Sequence, residues 1–269
     1  MKEFYVGEIA VRRDVRSKLF ERYIAATVEE RVRIEADLER MDAEIRRLGI
    51  GAKALNYAPQ KEEPPQPPNV TIKEVSDHWL DRFNDLARHR NEPWRAEMLS
   101  RALAVETENP GSIGGRALWL IGTMEESLFQ AFSAFLNLCF WPFPEGEPFN
   151  PDSDYANDKA IVLVLNGREL VMGQLLFLVE QAGLLGNLLT TSKAIPAGGG
   201  LQLIAGNDGF LVKAKVDHVI RGILLSPLGA TLAQFHEPKW RGEVFDRLEK
   251  WVGSLPAEQV EVIKLKRKQ

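Results

Sequence analysis

Apolar positions recur at helical spacing through the first half of the chain and at strand spacing through much of the second. Residues 8 to 48 read as helical. Within them Thr27 and Glu30 form a T-x-x-E capping box, which starts a new helix or marks a kink in a longer one. From there Ile34, Leu38, Met41, Ile45 and Leu48 recur in alternating four- and three-residue steps, a short a/d stripe ended by Gly49. So short a stripe cannot sustain a coiled coil alone. It predicts either a helix packed on its own domain or the seam of a homodimer.

The pattern stops at "APQKEEPPQPPNV", whose five prolines exclude a helix and predict an extended linker over residues 58–69. Beyond it Thr71 and Glu74 make a second capping box, predicting a helix to about His89. Asn91 caps the next helix, with Pro93 in its first turn, and "ENPGS" ends it. A third box, Thr123 to Glu126, opens a helix through Phe140. Ser112 in the turn reads as a helix-start cap.

After residue 145 the periodicity changes. "KAIVLVLN" has the apolar density of a short buried strand, and "GRELVMGQLLFLVEQAGLL" reads as an apolar helix ending near Gly183. "GLQLIAGNDGFLVKAK" predicts a hairpin around Gly206-Asn207-Asp208-Gly209. "DHVIRGILL" is another strand, "SPLGATLAQF" a short helix, "WRGEVFDRLEKWVGSL" an amphipathic helix, and "EQVEVIKLKRK" an edge strand. The predicted organisation is therefore N-terminal helices for assembly (1–57), the linker (58–69), a helical core (70–145) and an α/β module with a C-terminal helix and strand (146–269).

Composition narrows the function classes. Hydrophobic residues make 45% and charged residues 27% of the 269, with a net charge of -4, so no global field favours nucleic acid or an anionic membrane. "VMGQLLFLVEQAGLLGNLL" is broken by Gln174, Glu180 and Gln181, which argues against a membrane span. The start of the chain lacks a secretory pattern, and the single cysteine, Cys139 in "FLNLCFWPF", reads as a buried inert thiol. The expectation is a cytoplasmic protein without cofactor.

Chemistry-bearing patterns are sparse. On the helix ending at His89, Val75, Trp79, Phe83 and Leu86 form an apolar stripe, and His78, Arg82, Asp85 and His89 a polar one at four-three-four spacing. That polar stripe is a solvated or partner-facing surface. Its enzymatic alternative uses Arg82 and His89, separated by six residues as in the loose R-x(4–6)-H pattern of HEPN-type ribonucleases. There Arg82 would stabilise phosphate charge and His89 serve in acid–base work. Four histidines, none in an H-x-x-x-H pair, give no metal-ligand set. "PAGGGLQ" lacks the Lys-Ser/Thr of a phosphate loop. Glu106 and Arg116 flank the Pro110-Gly111 turn and predict a structural clasp, Glu106 accepting from Arg116 or from N–H groups at the next helix start.

The order helix, hairpin, then "LLSPLGATL" resembles the end of winged-helix domains. A DNA-reading helix carries Arg, Lys, Asn or Gln, but the helix here offers only Arg168 and Gln174 amid Leu, Phe and Val. Lys213 and Lys215 are the basic pair on the hairpin. A winged-helix-like module used for protein contact is favoured over a DNA reader, which stays as an alternative.

"WLDRF" from Trp79 to Phe83, then Trp94, Leu99, Ala102, Ala104, Glu106, Pro110-Gly111-Ser112, Arg116 and Leu118 resemble an uncharacterised bacterial domain family over roughly residues 28 to 236. Similar helical cores occur in abortive-infection-type proteins, so the resemblance implies a phage-defence or mobile-element setting and brings no activity with it. The chain departs from that pattern at Gly114, Gly115 and Ala117. The reading as a whole is an α+β, mostly helical chain: a helical core with a C-terminal winged-helix-like α/β module. Its expected role is non-enzymatic protein interaction. A protein partner is expected, a homodimer through the N-terminal helices is open, nucleic acid is disfavoured, and no membrane is involved.

Overall fold

The computed structural model describes residues 2–58, 74–143, 149–150, 161–186, 192–205, 208–237, 239 and 242–266. The chain is α+β and mostly helical, with small antiparallel sheets toward its C-terminus. It divides into two compact units, Met1–Thr123 and Met124–Gln269. The predicted divisions differ from these. The N-terminal helices share a unit with the helical core, because the helix Val28–Ala54 packs on the helices Asp77–His89 and Pro93–Glu108, whereas the helix Glu126–Asn137 falls into the second unit. The predicted linker, apart from Ala58, lies outside the described residues.

The first unit begins with a helical hairpin. Helix α1 (Lys2–Ala25) turns through Ala26 and Thr27 into α2 (Val28–Ala54). The Thr27–Glu30 capping box forms as its sequence predicts, so the box starts a new helix rather than marking a kink. Lys2 bonds Asn56, Tyr5 lies against Gly51, and Arg16 pairs with Asp42, which fixes the two helices as antiparallel. Along α2, Ile34 and Leu48 are buried and Leu38, Met41 and Ile45 half-buried. The a/d stripe thus belongs to a helix that has α1 of its own chain alongside.

Helices α3 (Asp77–His89), α4 (Pro93–Glu108) and α5 (Gly115–Thr123) complete the unit. Trp79, Phe83 and Ala87 of α3, Leu99 and Ala102 of α4, and Leu118 and Ile121 of α5 are among its buried apolar residues. Trp79 stacks on Phe83 at 5.3 Å between centroids, and its indole N–H donates to the Ile113 carbonyl at 2.9 Å.

Several helix starts shift from their sequence expectations, each for a local reason. Ser76 caps α3 by accepting from the Trp79 N–H, so the helix opens at Asp77; Glu74 precedes it and Thr71 lies outside the described residues. Glu92, not Asn91, is the cap residue of α4, because the residue before Pro93 is driven to extended backbone. Thr123 ends α5 and gives its hydroxyl to the Trp119 carbonyl, leaving Glu125 as the cap residue of α6. Ser112 sits in the turn ahead of α5 rather than at its start.

The second unit holds α6 (Glu126–Asn137), β1 (Trp141–Phe143), β2 (Phe149–Asn150), β3 (Ile161–Leu165), β4 (Arg168–Val171) and α7 (Met172–Gln181). It continues with β5 (Ser192–Ile195), β6 (Gly200–Ala205), β7 (Asp208–Ala214), β8 (His218–Arg221), β9 (Ile223–Leu224), α8 (Pro227–Ala233), α9 (Gly242–Gly253) and β10 (Val260–Lys266). A four-stranded antiparallel sheet runs β1-β6-β7-β10, with β10 at its edge as its lysines predict. Leu201, Leu203, Phe210 and Val212 of this sheet share a buried core with Leu248 and Val252 of α9. β5 pairs with β8 and β6 with β7, so residues 192–205 run antiparallel to residues 208–221, with a bend at Pro196–Gly199. The predicted turn Gly206-Asn207 lies outside the described residues, while Asp208 and Gly209 already belong to β7.

The segment expected to be helix from Gly167 begins instead as a strand. Asn166 and Gly167 both take left-handed backbone (φ 50° and 76°), a two-residue hairpin turn that pairs Leu165 with Arg168. Helix α7 starts only at Met172.

Candidate functional site

The α3 stripe is the first candidate. His78, Arg82, Asp85 and His89 are all exposed. Arg82 leans toward the start of α5, where a Cβ on Gly115 would stand 3.1 Å from its Nη1. His89 turns back on its own helix, Nδ1–H donating to the Asp85 carbonyl at 2.7 Å. It also borders an open groove of about 770 Å³ with residues of α2, among them Glu39, Arg40, Asp42 and Arg46. Arg82 does not line that groove. Of the two residues of the ribonuclease alternative, His89 alone lines this groove.

The groove's charges are largely engaged. Glu44 accepts from Arg47 and Arg88, both at 2.9 Å, and Arg46 Nε donates to the Arg88 carbonyl at 2.8 Å. Partial burial works against the charge of Glu44, but Arg47 and Arg88 outweigh it and hold the carboxyl below its ordinary range. Nearby, Glu97 of α4 gathers Lys53, Tyr57 and Arg101, and Arg101 lies over the Tyr57 ring at 4.6 Å. Burial again opposes ionisation. The three partners win, and the Glu97 carboxyl falls to about 2. These are ties between helices rather than reactive groups.

Glu106 is buried at the end of α4 and its carboxylate accepts from the Gly111 N–H at 2.7 Å and the Ile113 N–H at 2.8 Å. It closes the Pro110-Gly111-Ser112 turn through backbone donors, while Arg116 is exposed on α5. In the second unit Lys213 is exposed on β7 opposite Glu261 of β10. Lys215 donates through Nζ to the Ala257 carbonyl at 2.6 Å. The pair is thus divided between solvent and a structural tie. Gln174 bonds the Val171 N–H at 3.2 Å, and Arg168 is exposed on β4 rather than on a helix. Cys139 is fully buried, which pushes its thiol well up. Among the described residues no group of three or more His, Cys, Asp or Glu side chains is placed to hold a metal ion. Nor is any helix among them long and apolar enough to cross a membrane.

The hairpin α1–α2 carries what sequence reading missed. None of the 24 residues of α1 is buried. Its inward line is Tyr5, Ile9, Arg12, Arg16, Leu19 and Tyr23, all half-buried and spaced four-three-four-three-four. Phe4, Val11 and Val15 stand exposed on one flank, and Val6, Phe20 and Ile24 on the other. Past the turn Val28 and Val32 follow, at 78% and 67% exposed. Exposed apolar residues stand on both flanks of α1, so contact with α2 along one line cannot cover them. Trp119 on α5 is likewise 61% exposed.

Compared with protein-family models, with curated proteins and with solved structures, the chain finds no match in any of the three.

Proposed function

We propose that this chain is a non-enzymatic interaction component whose helical hairpin docks protein partners. The observation that carries the reading is α1, a 24-residue helix without one buried residue that continues into the exposed Val28 and Val32. Exposed apolar side chains repeated along both flanks of one helix have a cost in water and suit a surface that another protein covers. The setting, bacterial phage defence or mobile-element biology in the cytoplasm, rests on the signature from Trp79 to Leu118 alone.

Within the proposal the second unit is a winged-helix-like module used for protein contact. Supporting this is the entry to α8. Ser226 caps the helix by accepting from the Gly229 N–H at 3.0 Å and donates to the Gly183 carbonyl at 2.6 Å, which ties the end of α7 to the start of α8. Phe177 and Leu178 of α7 are exposed, an apolar surface suited to protein rather than to phosphate.

Site-specific photocrosslinking in cells tests the docking role. A photoreactive side chain at position 24 or 28 is expected to give a discrete adduct heavier than the chain. The same group at Glu258, exposed and remote in sequence, is expected to give none. Absence of adducts from every exposed hairpin position contradicts the proposal. RNA cleavage by the purified chain that disappears in both Arg82→Ala and His89→Ala would replace it with the ribonuclease reading.

A further inference from the structure

Resting on that reading, we infer that the occupant of one flank of α1 is the same flank of a second copy, paired antiparallel. The stripe is Phe4, Glu8, Val11, Val15, Lys18 and Arg22, at four-three-four-three-four spacing. Phe4 and Val11 are 62% and 60% exposed, and Lys18 and Arg22 are exposed.

Charge chooses the occupant and its direction. The acidic member of the stripe lies in its N-terminal half and both basic members in its C-terminal half. An antiparallel pairing that sets Val11 against the partner's Val15 brings Glu8 to the partner's Lys18 and Phe4 beneath the partner's Arg22. Twofold symmetry repeats each of these contacts, as an isologous interface requires. The apolar pair then sits at the centre, flanked by opposite charges and closed by cation–π contacts at the ends. A parallel pairing would set Lys18 on the partner's Lys18 and Arg22 on the partner's Arg22, which repel. Lys18 bonds Asp14 in an exposed i,i+4 pair of the kind that contributes little. Glu8 is half-buried and accepts from Arg12 through Oε2, and its other carboxylate oxygen can accept from the partner's Lys18. A helix of this length is about 36 Å long, enough for the whole stripe to engage.

The test uses the full chain and light-scattering mass over a broad concentration range, with far-UV circular dichroism to confirm that each variant folds. The wild type is expected to dimerise. Glu8→Lys and Lys18→Glu are each expected to weaken the dimer about tenfold or more, since each places like charges at two symmetric sites. The double change Glu8→Lys with Lys18→Glu is expected to restore it. Mixing Val11→Cys with Val15→Cys is expected to give a disulfide-linked dimer faster than either alone, and the native Cys139 is buried. A monomer at every concentration overturns the inference and leaves docking of a different protein in force. A dimer indifferent to both reversals, with no linkage between positions 11 and 15, also overturns it. Loss of all hairpin crosslinks in cells removes the broader reading as well.

Discussion

Arg16 and Asp42 form a two-pronged ion pair between the helices of the N-terminal hairpin, with Nε and Nη2 at 2.5 and 3.1 Å from the two carboxylate oxygens. It occupies a position on the inward line of α1 where a bare coiled coil would carry an apolar residue. Both side chains are more than a third exposed, so the pair sets the register of α1 on α2 more than it stabilises the hairpin. Asp42→Ala is expected to lose less than about 1 kcal/mol, read from urea unfolding followed by circular dichroism. A loss several times larger would mean that the hairpin depends on this bridge.

Glu106 is a stronger case because it is buried and accepts from two backbone donors. Glu106→Gln is expected to cost about 1–3 kcal/mol, since the amide cannot accept from both N–H groups and offers its own donor to one of them. Arg116→Ala is expected to change stability by no more than about 0.5 kcal/mol. Equal losses from the two would restore the direct Glu106–Arg116 clasp that the sequence suggests.

Glu97 gives the protein an acid-sensitive joint between α2 and α4. Its folded pKa of about 2 lies below the ordinary 4.5, so its contribution is complete above about 4.5 and is lost as pH falls from there toward 2. After screening of a partly exposed group, about 2 kcal/mol is at stake. Urea midpoints at about pH 6 and about pH 3 are expected to differ less in Glu97→Gln than in the wild type. An identical pH response in both would remove Glu97 from the account.

Gly229 faces the carbonyl oxygen of Leu184, where a Cβ would come to 2.0 Å. Neither backbone can yield cheaply, and Gly229→Ala is expected to destabilise the second unit by about 1–3 kcal/mol. A thermal melt that leaves Gly229→Ala unchanged would show that α8 can move away from α7. Ser226→Ala, which removes both the cap and the bond to Gly183, is expected to cost about 1 kcal/mol.

Much of the fold was legible in the sequence because local chemistry decides it. The Thr27–Glu30 box, the β6–β7 hairpin arms, the edge strand β10 and the core role of Trp79, Phe83 and Leu99 all follow from spacing and residue type. The strand β4 was legible too, through Asn166-Gly167, but the apolar run after it outweighed a two-residue turn signal. The caps at Asn91 and Thr123 failed because Pro93 and an i−4 carbonyl took precedence, both visible only once the helix frame is set. The candidate site was the least legible part. The a/d stripe of α2 is buried or half-buried, yet the pattern could not say that α1 of the same chain would pack on that helix. The signal that could have found the exposed flanks is in α1 itself, where Phe4, Val6, Val11, Val15, Phe20 and Ile24 fall on more than one side of a single helix. The polar stripe of α3 is an exposed face, of which His89 borders the groove beside α2.

Whether a second copy covers α1 is tested most directly by amide hydrogen exchange of peptides from Lys2–Ala25 at low and high protein concentration. The account predicts that protection of this helix rises with concentration, most around Val11 and Val15, while peptides from α4 stay unchanged. Exchange of α1 at one rate across all concentrations would contradict it.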